Sequence, residues 1–242
     1  MGSPFFISEV FARMSSLSAI IHNRDMSWLG AHFRKQRSRH IRALIDKIHA
    51  EHGQCRILDI GGEGLYWKIF DADYLHTRRV HVTITNLEYD PNMAVDVDPE
   101  VFTFSIGNGC KLSYPDRAFD LVHANSVIEH VGEWLAMIAF AKECRRLAPC
   151  YYVQMPYFWF PLEPHFRLPF FHWLPEPIRV HLVTQFALGP FPKAESLSRA
   201  VEWVQNCHLL GRRQFQVLFP DAVIQPERVA GMIKSLIAIR RA

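Results

Sequence analysis

From Phe33 to about His52, apolar side chains recur at Ile41, Leu44, Ile45 and Ile48. That i, i+3, i+4, i+7 spacing puts all four on one face of an amphipathic helix. Gly53 is a good residue to stop it. The period then changes. "CRILDI" (Cys55 to Ile60) is a short apolar run that predicts a buried strand, and it leads straight into glycines. "RVHVTITNLE" (Arg79 to Glu88) alternates and is rich in β-branched residues, which predicts a second strand ending on an acid. "VFTFSIGNG", "AFDLVHANS" and "PCYYVQMP" predict a third, fourth and fifth strand, with a helix over Glu133 to Leu147 and Pro156 closing the last strand. Strands alternating with helices predict an α/β chain with a parallel sheet and right-handed crossovers. Tyr89 to Glu100 is short for a full crossover helix, so a reduced or irregular connection is expected there.

The pattern breaks after Pro156. "YFWFPLEPHFRLPFFHWLPEP" is dense in aromatics and punctuated by prolines, which cannot sustain a regular helix or a central strand. It reads as an insertion, followed by helical stretches from about Ala194 to Cys207 and from Arg212 to Leu218. The tail "PDAVIQPERVAGMIKSLIAIRR" predicts two more strands around a Pro-Glu-Arg turn, close enough in the chain to pair antiparallel. The expected organisation is one domain over 1–242. It has a helical cap (1–53), a core (54–156), an insertion or lid with helices (157–219) and a closing hairpin (220–242).

Bulk numbers narrow the function classes. The 242 residues are 49% apolar and 21% charged, enough to bury a sizeable core. A net charge of +3 is too weak a bias to argue for nucleic acid, and the basic cluster "HFRKQRSRH" reads as the solvated face of the first helix. The five cysteines (Cys55, Cys110, Cys144, Cys150, Cys207) are scattered and form no CxxC pair. This argues for a reducing compartment and against a disulfide framework or a structural zinc site. No secretory signal is expected, Phe6 stands where a myristoylation signal wants Ser or Thr, and no apolar run approaches ~20 residues. A soluble cytoplasmic protein without a transmembrane segment is the expectation.

"RILDIGGEGLYWKIF" carries the first chemistry. A strand that ends in Asp-x-Gly-Gly-x-Gly and leads into a helix lets a ligand lie on main-chain N–H groups at the carboxyl edge of the sheet. A dinucleotide loop wants a third glycine where this chain has Trp67, and an indole there would push the helix off the sheet. That disfavours a nucleotide-dependent dehydrogenase. Glu88, at the end of the second strand, stands where it can accept from ribose hydroxyls. Asn108, past the third strand, offers an amide to an adenine amino group, though between two glycines it also suits a turn.

With "PDRAFDLVHANSVIEHV" the ordered set resembles the class I S-adenosylmethionine-dependent methyltransferases, in particular the type 11-like group acting on small molecules. "LDIGGEG" resembles the family's first motif and Glu88 its ribose acid. "IGNG…LSYPDRAFDLV" and "SVIEHVGEW" resemble the later segments, over roughly Arg56 to Pro156. The resemblance implies a Rossmann-like, doubly wound, seven-stranded sheet, mostly parallel with a C-terminal antiparallel hairpin. It implies S-adenosyl-L-methionine as cofactor, bound through Asp59, Gly61, Gly62, Glu63, Glu88, Asn108, Gly109, Asn125 and Ser126. Two departures stand out: Glu63 and Leu65 fill the loop's last two glycine positions, and Asn108 replaces an acid.

Methyl transfer is an in-line displacement at an activated sulfonium carbon, so alignment of acceptor, methyl and sulfur does most of the work. An oxygen or nitrogen acceptor must also lose a proton, and histidine suits that near neutral pH. The first candidate base is His165 with Glu163 as orienting partner, then His130. Glu163, His165 and His172 match no strong metal-ligand spacing, so no metal is expected. The aromatics of the insertion suit a lid over a small-molecule acceptor, a homodimer interface, a membrane-surface contact or plain core. A non-catalytic cofactor-binding or scaffold protein on the same fold is the alternative from a different class.

Overall fold

The computed structural model describes residues 28–88 and 97–242. Most of the expected irregular connection, 89–96, lies outside them, as do the side chains of the basic cluster before Arg37. The described strands are β1 (Cys55–Ile60), β2 (Val80–Asn86), β3 (Phe102–Ile106), β4 (Leu121–Asn125), β5 (Cys150–Pro156), β6 (Val223–Val229) and β7 (Met232–Arg240). They form a seven-stranded sheet in the order β3-β2-β1-β4-β5-β7-β6. β1 is parallel to β2 and β4, β2 is parallel to β3, and β6–β7 is the antiparallel closing hairpin. No helix among the described residues is long and apolar enough to cross a membrane.

The chain divides into two compact units. The first runs to Asn125 and adds Lys142–Tyr152 and Arg240–Ala242. Its first helix, α1 (Trp28–His52), buries the stripe Ile41, Leu44, Ile45 and Ile48. Gly53 ends the helix with φ +72° and returns its N–H to the His49 carbonyl, a left-handed cap that glycine adopts without Cβ strain. β1 is buried at every position but Arg56, as expected of a strand flanked on both sides by parallel neighbours. The β1–β2 crossover is broken into two short helices, α2 (Gly64–Trp67) and α3 (Ala72–Thr77). An aromatic column runs through the break: Trp67 stacks on Phe70 and Phe70 on Tyr74, and the Arg42 guanidinium lies 3.8 Å from the Tyr74 ring centre.

The second unit comprises Ser126–Ala141 and Val153–Ile239. The helix expected from Glu133 is α4 (Trp134–Leu147), which passes from this unit into the first. The proline–aromatic segment does not stay irregular to its end. Glu176–Gln185 forms a helix, α5, that the proline density hid. Pro177 stands in its first turn, where a missing N–H costs nothing. α6 (Leu197–Gln205) starts on Ser196, whose hydroxyl accepts from the Arg199 N–H, and α7 is Arg212–Leu218. Phe166, Phe171, Val180, Val183, Phe191, Ala194, Ala200 and Val204 form the buried cluster beneath these elements. Part of the insertion is therefore core, while Trp159, Phe170 and Trp173 stay exposed.

The closing turn departs from expectation. Pro226, Glu227 and Arg228 lie within β6, where pairing shifts register between Glu227 and Arg228, and the chain reverses at Ala230-Gly231. The reversal needs two residues at positive φ, and these have +48° and +83°. Proline is tolerated in β6 because β6 is an edge strand. Ala230 bears the left-handed strain, which for an ordinary L-residue is about 1–2 kcal/mol. Ala230→Asn, which restores the preferred Asn-Gly turn, is expected to stabilise the chain by about 1 kcal/mol in urea unfolding.

Candidate functional site

Parallel pairing brings the carboxyl ends of β1 to β4 to one edge of the first unit. The strand order reverses across β1, between β2 and β4, the place where open α/β sheets take ligands. Asp59, next to last in β1, is fully buried beside His123 of β4, its register partner. Trp67 Nε1–H donates to Asp59 Oδ2 at 2.8 Å, and His123 Nδ1 lies 2.6 Å from Oδ1. His123 Nε2 has no hydrogen-bond partner among the described residues, which puts the ring proton on Nδ1, toward the carboxylate. A Cβ on Gly62 would stand 1.8 Å from Asp59 Oδ2. The bareness of that position is thus required by the protein's own carboxylate. Trp67 is interior packing with a polar duty.

The loop is held from β2 as well. The Gly61 N–H donates to the Thr85 carbonyl, and Asn86 Nδ2 donates to the Gly62 carbonyl at 3.0 Å. Glu63, in extended conformation, begins α2. Glu88 stands two residues beyond β2 and is partly exposed. Asn108 is exposed after β3, and its Oδ1 accepts the Cys110 N–H at 2.8 Å in a turn that also contains Gly109. Arg146 braces the loop that follows: its guanidinium donates to the Leu112 and Tyr114 carbonyls and pairs with Glu143, which accepts the Leu112 N–H. That Arg146 contact holds the Glu143 carboxyl below its ordinary pKa. Asn125 ends β4 and accepts from Arg37 Nη1 at 3.2 Å.

The remaining candidates belong to the second unit. Ser126, at φ +56°, bonds through both its N–H and its hydroxyl to Gln154. Glu163, buried, accepts from the Phe166 N–H and lies 2.7 Å from His165 Nδ1. His165 Nε2 is 3.2 Å from His130 Nε2 and 3.9 Å from Cys207 Sγ. His130 Nδ1 donates to the Asn206 carbonyl. Burial pushes the His130 pKa down to about 3, helped by the neighbouring His165. Burial disfavours charge on His165 too, but Cys207 and the Glu163 carboxylate outweigh it and hold that imidazole well above its ordinary value. Glu163 is held low: burial raises it, and the His165 ring with the Phe166 N–H more than offsets this. His172 stands apart from the cluster and donates Nε2–H to the Phe158 carbonyl.

Residues 58–149 match the family described as "Methyltransferase domain". Among solved structures the chain is similar to the 1,6-didemethyltoxoflavin-N1-methyltransferase of Burkholderia thailandensis, solved with 1,6-didemethyltoxoflavin and S-adenosylhomocysteine. Identity is 16%, the match covers 100% of this chain and 91% of that one, and the TM-score is 0.51. Residues 58–149 are thus similar to a methyltransferase family, and the chain shares the fold of the Burkholderia enzyme. Weaker likenesses are a SAM-dependent methyltransferase of Methanosarcina mazei (15% identity, 77% and 91% covered, TM-score 0.43) and phosphoethanolamine N-methyltransferase 2 of Haemonchus contortus, solved with S-adenosyl-L-methionine (14%, 72% and 35%, 0.45). No curated protein matches the chain.

Within residues 58–149, sequence reasoning missed His123, Asn86 and Arg146. The signal for His123 was present: a histidine inside an apolar strand, "LVHAN", needs a buried partner, and the neighbouring strand carries an acid. The carboxylate is the common element, so Gly62→Ala is expected to destabilise the domain by about 1–3 kcal/mol through overpacking. Trp67→Phe is expected to cost about 1.5–3 kcal/mol through a lost hydrogen bond to a charged group. In a denaturant double-mutant cycle the pair should cost clearly less than the sum, because both act on Asp59.

Proposed function

We propose that the chain binds S-adenosyl-L-methionine across the carboxyl ends of β1, β2 and β3 and moves its methyl group by in-line displacement to a small-molecule acceptor, oxygen or nitrogen before carbon. The observation that carries the reading is the glycine loop at the switch of strand order, fixed by Asp59 beneath it and by Asn86 at its carbonyl, with the Glu88 carboxylate following the adjacent strand. In this proposal Glu88 accepts from the ribose hydroxyls, and Gly61, Gly62 and Glu63 present main chain to the methionine part. Asn108 and Gly109 flank the adenine, and Asn125 and Ser126 form the floor. Asp59 acts indirectly, as the anchor of the loop. The Burkholderia neighbour supports the fold and leaves the acceptor open.

For an oxygen or nitrogen acceptor, proton removal falls to His165, oriented by Glu163 through the 2.7 Å contact at Nδ1, with His130 beside it. Five free thiols fit a reducing, cytoplasmic setting. The exposed Trp159, Phe170 and Trp173 are the part of the insertion left for a second copy of the chain. The non-catalytic alternative has one observation in its favour: Asn108 Oδ1 already accepts the Cys110 N–H, which weakens its offer to adenine.

Calorimetry with S-adenosylmethionine and S-adenosylhomocysteine is expected to show saturable binding, weakened about 10–100-fold in Glu88→Ala, the scale of a hydrogen bond to a charged group. No heat with either compound would overturn the reading. His165→Ala is expected to keep cofactor affinity and lower kcat by about 10²–10⁴ once an acceptor is known. Unchanged turnover would remove His165 as the base.

A further inference from the structure

We propose that His130, His165 and Cys207 form a binding site for one divalent transition-metal ion, zinc by the chemistry of its donors. The three residues come from distant parts of the chain, so no ligand spacing announces them, yet their donor atoms all lie within 4.8 Å of one another. A tetrahedral site with Zn–N of ~2.0–2.1 Å and Zn–S of ~2.3 Å has edges of about 3.3 Å between nitrogens and about 3.6 Å between nitrogen and sulfur. The two imidazole Nε2 atoms are 3.2 Å apart, and His165 Nε2 is 3.9 Å from Cys207 Sγ. The remaining edge, His130 to Cys207, is at most 4.8 Å, so the rings and the sulfur need to draw together by about 1 Å at most to close that geometry.

The hydrogen bonds behind the rings point the same way. His130 Nδ1 faces the Asn206 carbonyl, which can only accept, so that nitrogen carries the proton. His165 Nδ1 faces the Glu163 carboxylate, so it too is protonated. With both Nδ1 protons committed in this way, the two Nε2 atoms face each other. Something positive must lie between them: a proton shared by the pair, or a metal ion. A carbonyl behind one imidazole and a carboxylate behind the other is the outer arrangement that orients zinc-bound histidines and raises their basicity. Two imidazoles and a thiolate are borderline-soft donors that suit zinc and disfavour magnesium or calcium. The site is reachable, since the His165 side chain keeps 23% of its surface open while Glu163 behind it is only 5% exposed. Three protein ligands leave a fourth position for water or a substrate atom.

The inference is independent of methyl transfer, because a chain that bound no S-adenosylmethionine would still hold the metal. The two readings also part at one atom. In the metal-loaded chain His165 has given up its Nε2 lone pair, so the role of base belongs to the metal-free chain.

The test uses the purified full chain, stripped of metal and titrated with Co²⁺. One equivalent should bind and produce the near-ultraviolet absorption of a thiolate-to-cobalt bond, and Zn²⁺ should abolish that absorption by displacement. Cys207→Ser should lose the band while retaining its far-ultraviolet circular dichroism. Cys110→Ser, at the other partly exposed thiol, should keep the band. Glu163→Gln should weaken binding about 10–100-fold, as loss of an outer hydrogen bond does. Absence of saturable one-equivalent binding, or a thiolate band that survives Cys207→Ser, would overturn the site and leave the shared proton as the occupant.

Discussion

The candidate cofactor edge depends on one buried carboxylate. Asp59 lies fully inside the sheet, and a charge there is tolerable only with its oxygens engaged. Trp67 meets one oxygen and His123 the other, which places the first turn of α2 and the middle of β4 around the same group. Gly62 has to be bare because the carboxylate occupies the space a side chain would take. The loop above is therefore positioned from below, and Asn86 fixes its carbonyl from the side. A main-chain surface held in this way presents N–H groups at low entropic cost, the kind of preorganisation that ligand binding rewards.

The same economy recurs elsewhere. Arg146 reaches from α4 to two carbonyls of the segment after β3, and Glu143 takes an N–H from that segment. An irregular loop thereby acquires partners that a regular element would have found in its own backbone. In the second unit Glu163 does comparable work, joining the Phe166 N–H to the His165 ring. Asp59, Glu143 and Glu163 each act as a joint between segments.

β1, β4 and β5 were legible because strands buried on both faces write themselves as apolar runs, and β2 was legible from its alternation of β-branched residues. α1 was legible from four residues on one face. α5 was not, since prolines on its N-terminal side masked a helix whose own Val180 and Val183 are buried. The hairpin turn was misplaced because Pro-Glu-Arg is stronger turn chemistry than Ala-Gly in isolation, and only the cross-strand register decides between them. At the site, glycines and acids could be read as types. What they touch could not, because the partners are set by pairing between strands (Asp59 with His123) or by tertiary packing (His165 with Cys207).

β6 ends the sheet, and its composition affects how that sheet meets the outside. An edge strand carries a row of unused main-chain groups that another chain can adopt as a template. This one is interrupted by Pro226, which has no N–H to offer, and by the irregularity between Glu227 and Arg228, which breaks the regular rise of the ladder. Lengthening of the sheet by a foreign strand is thereby blunted at this margin, so self-association at β6 would have to be made through side chains.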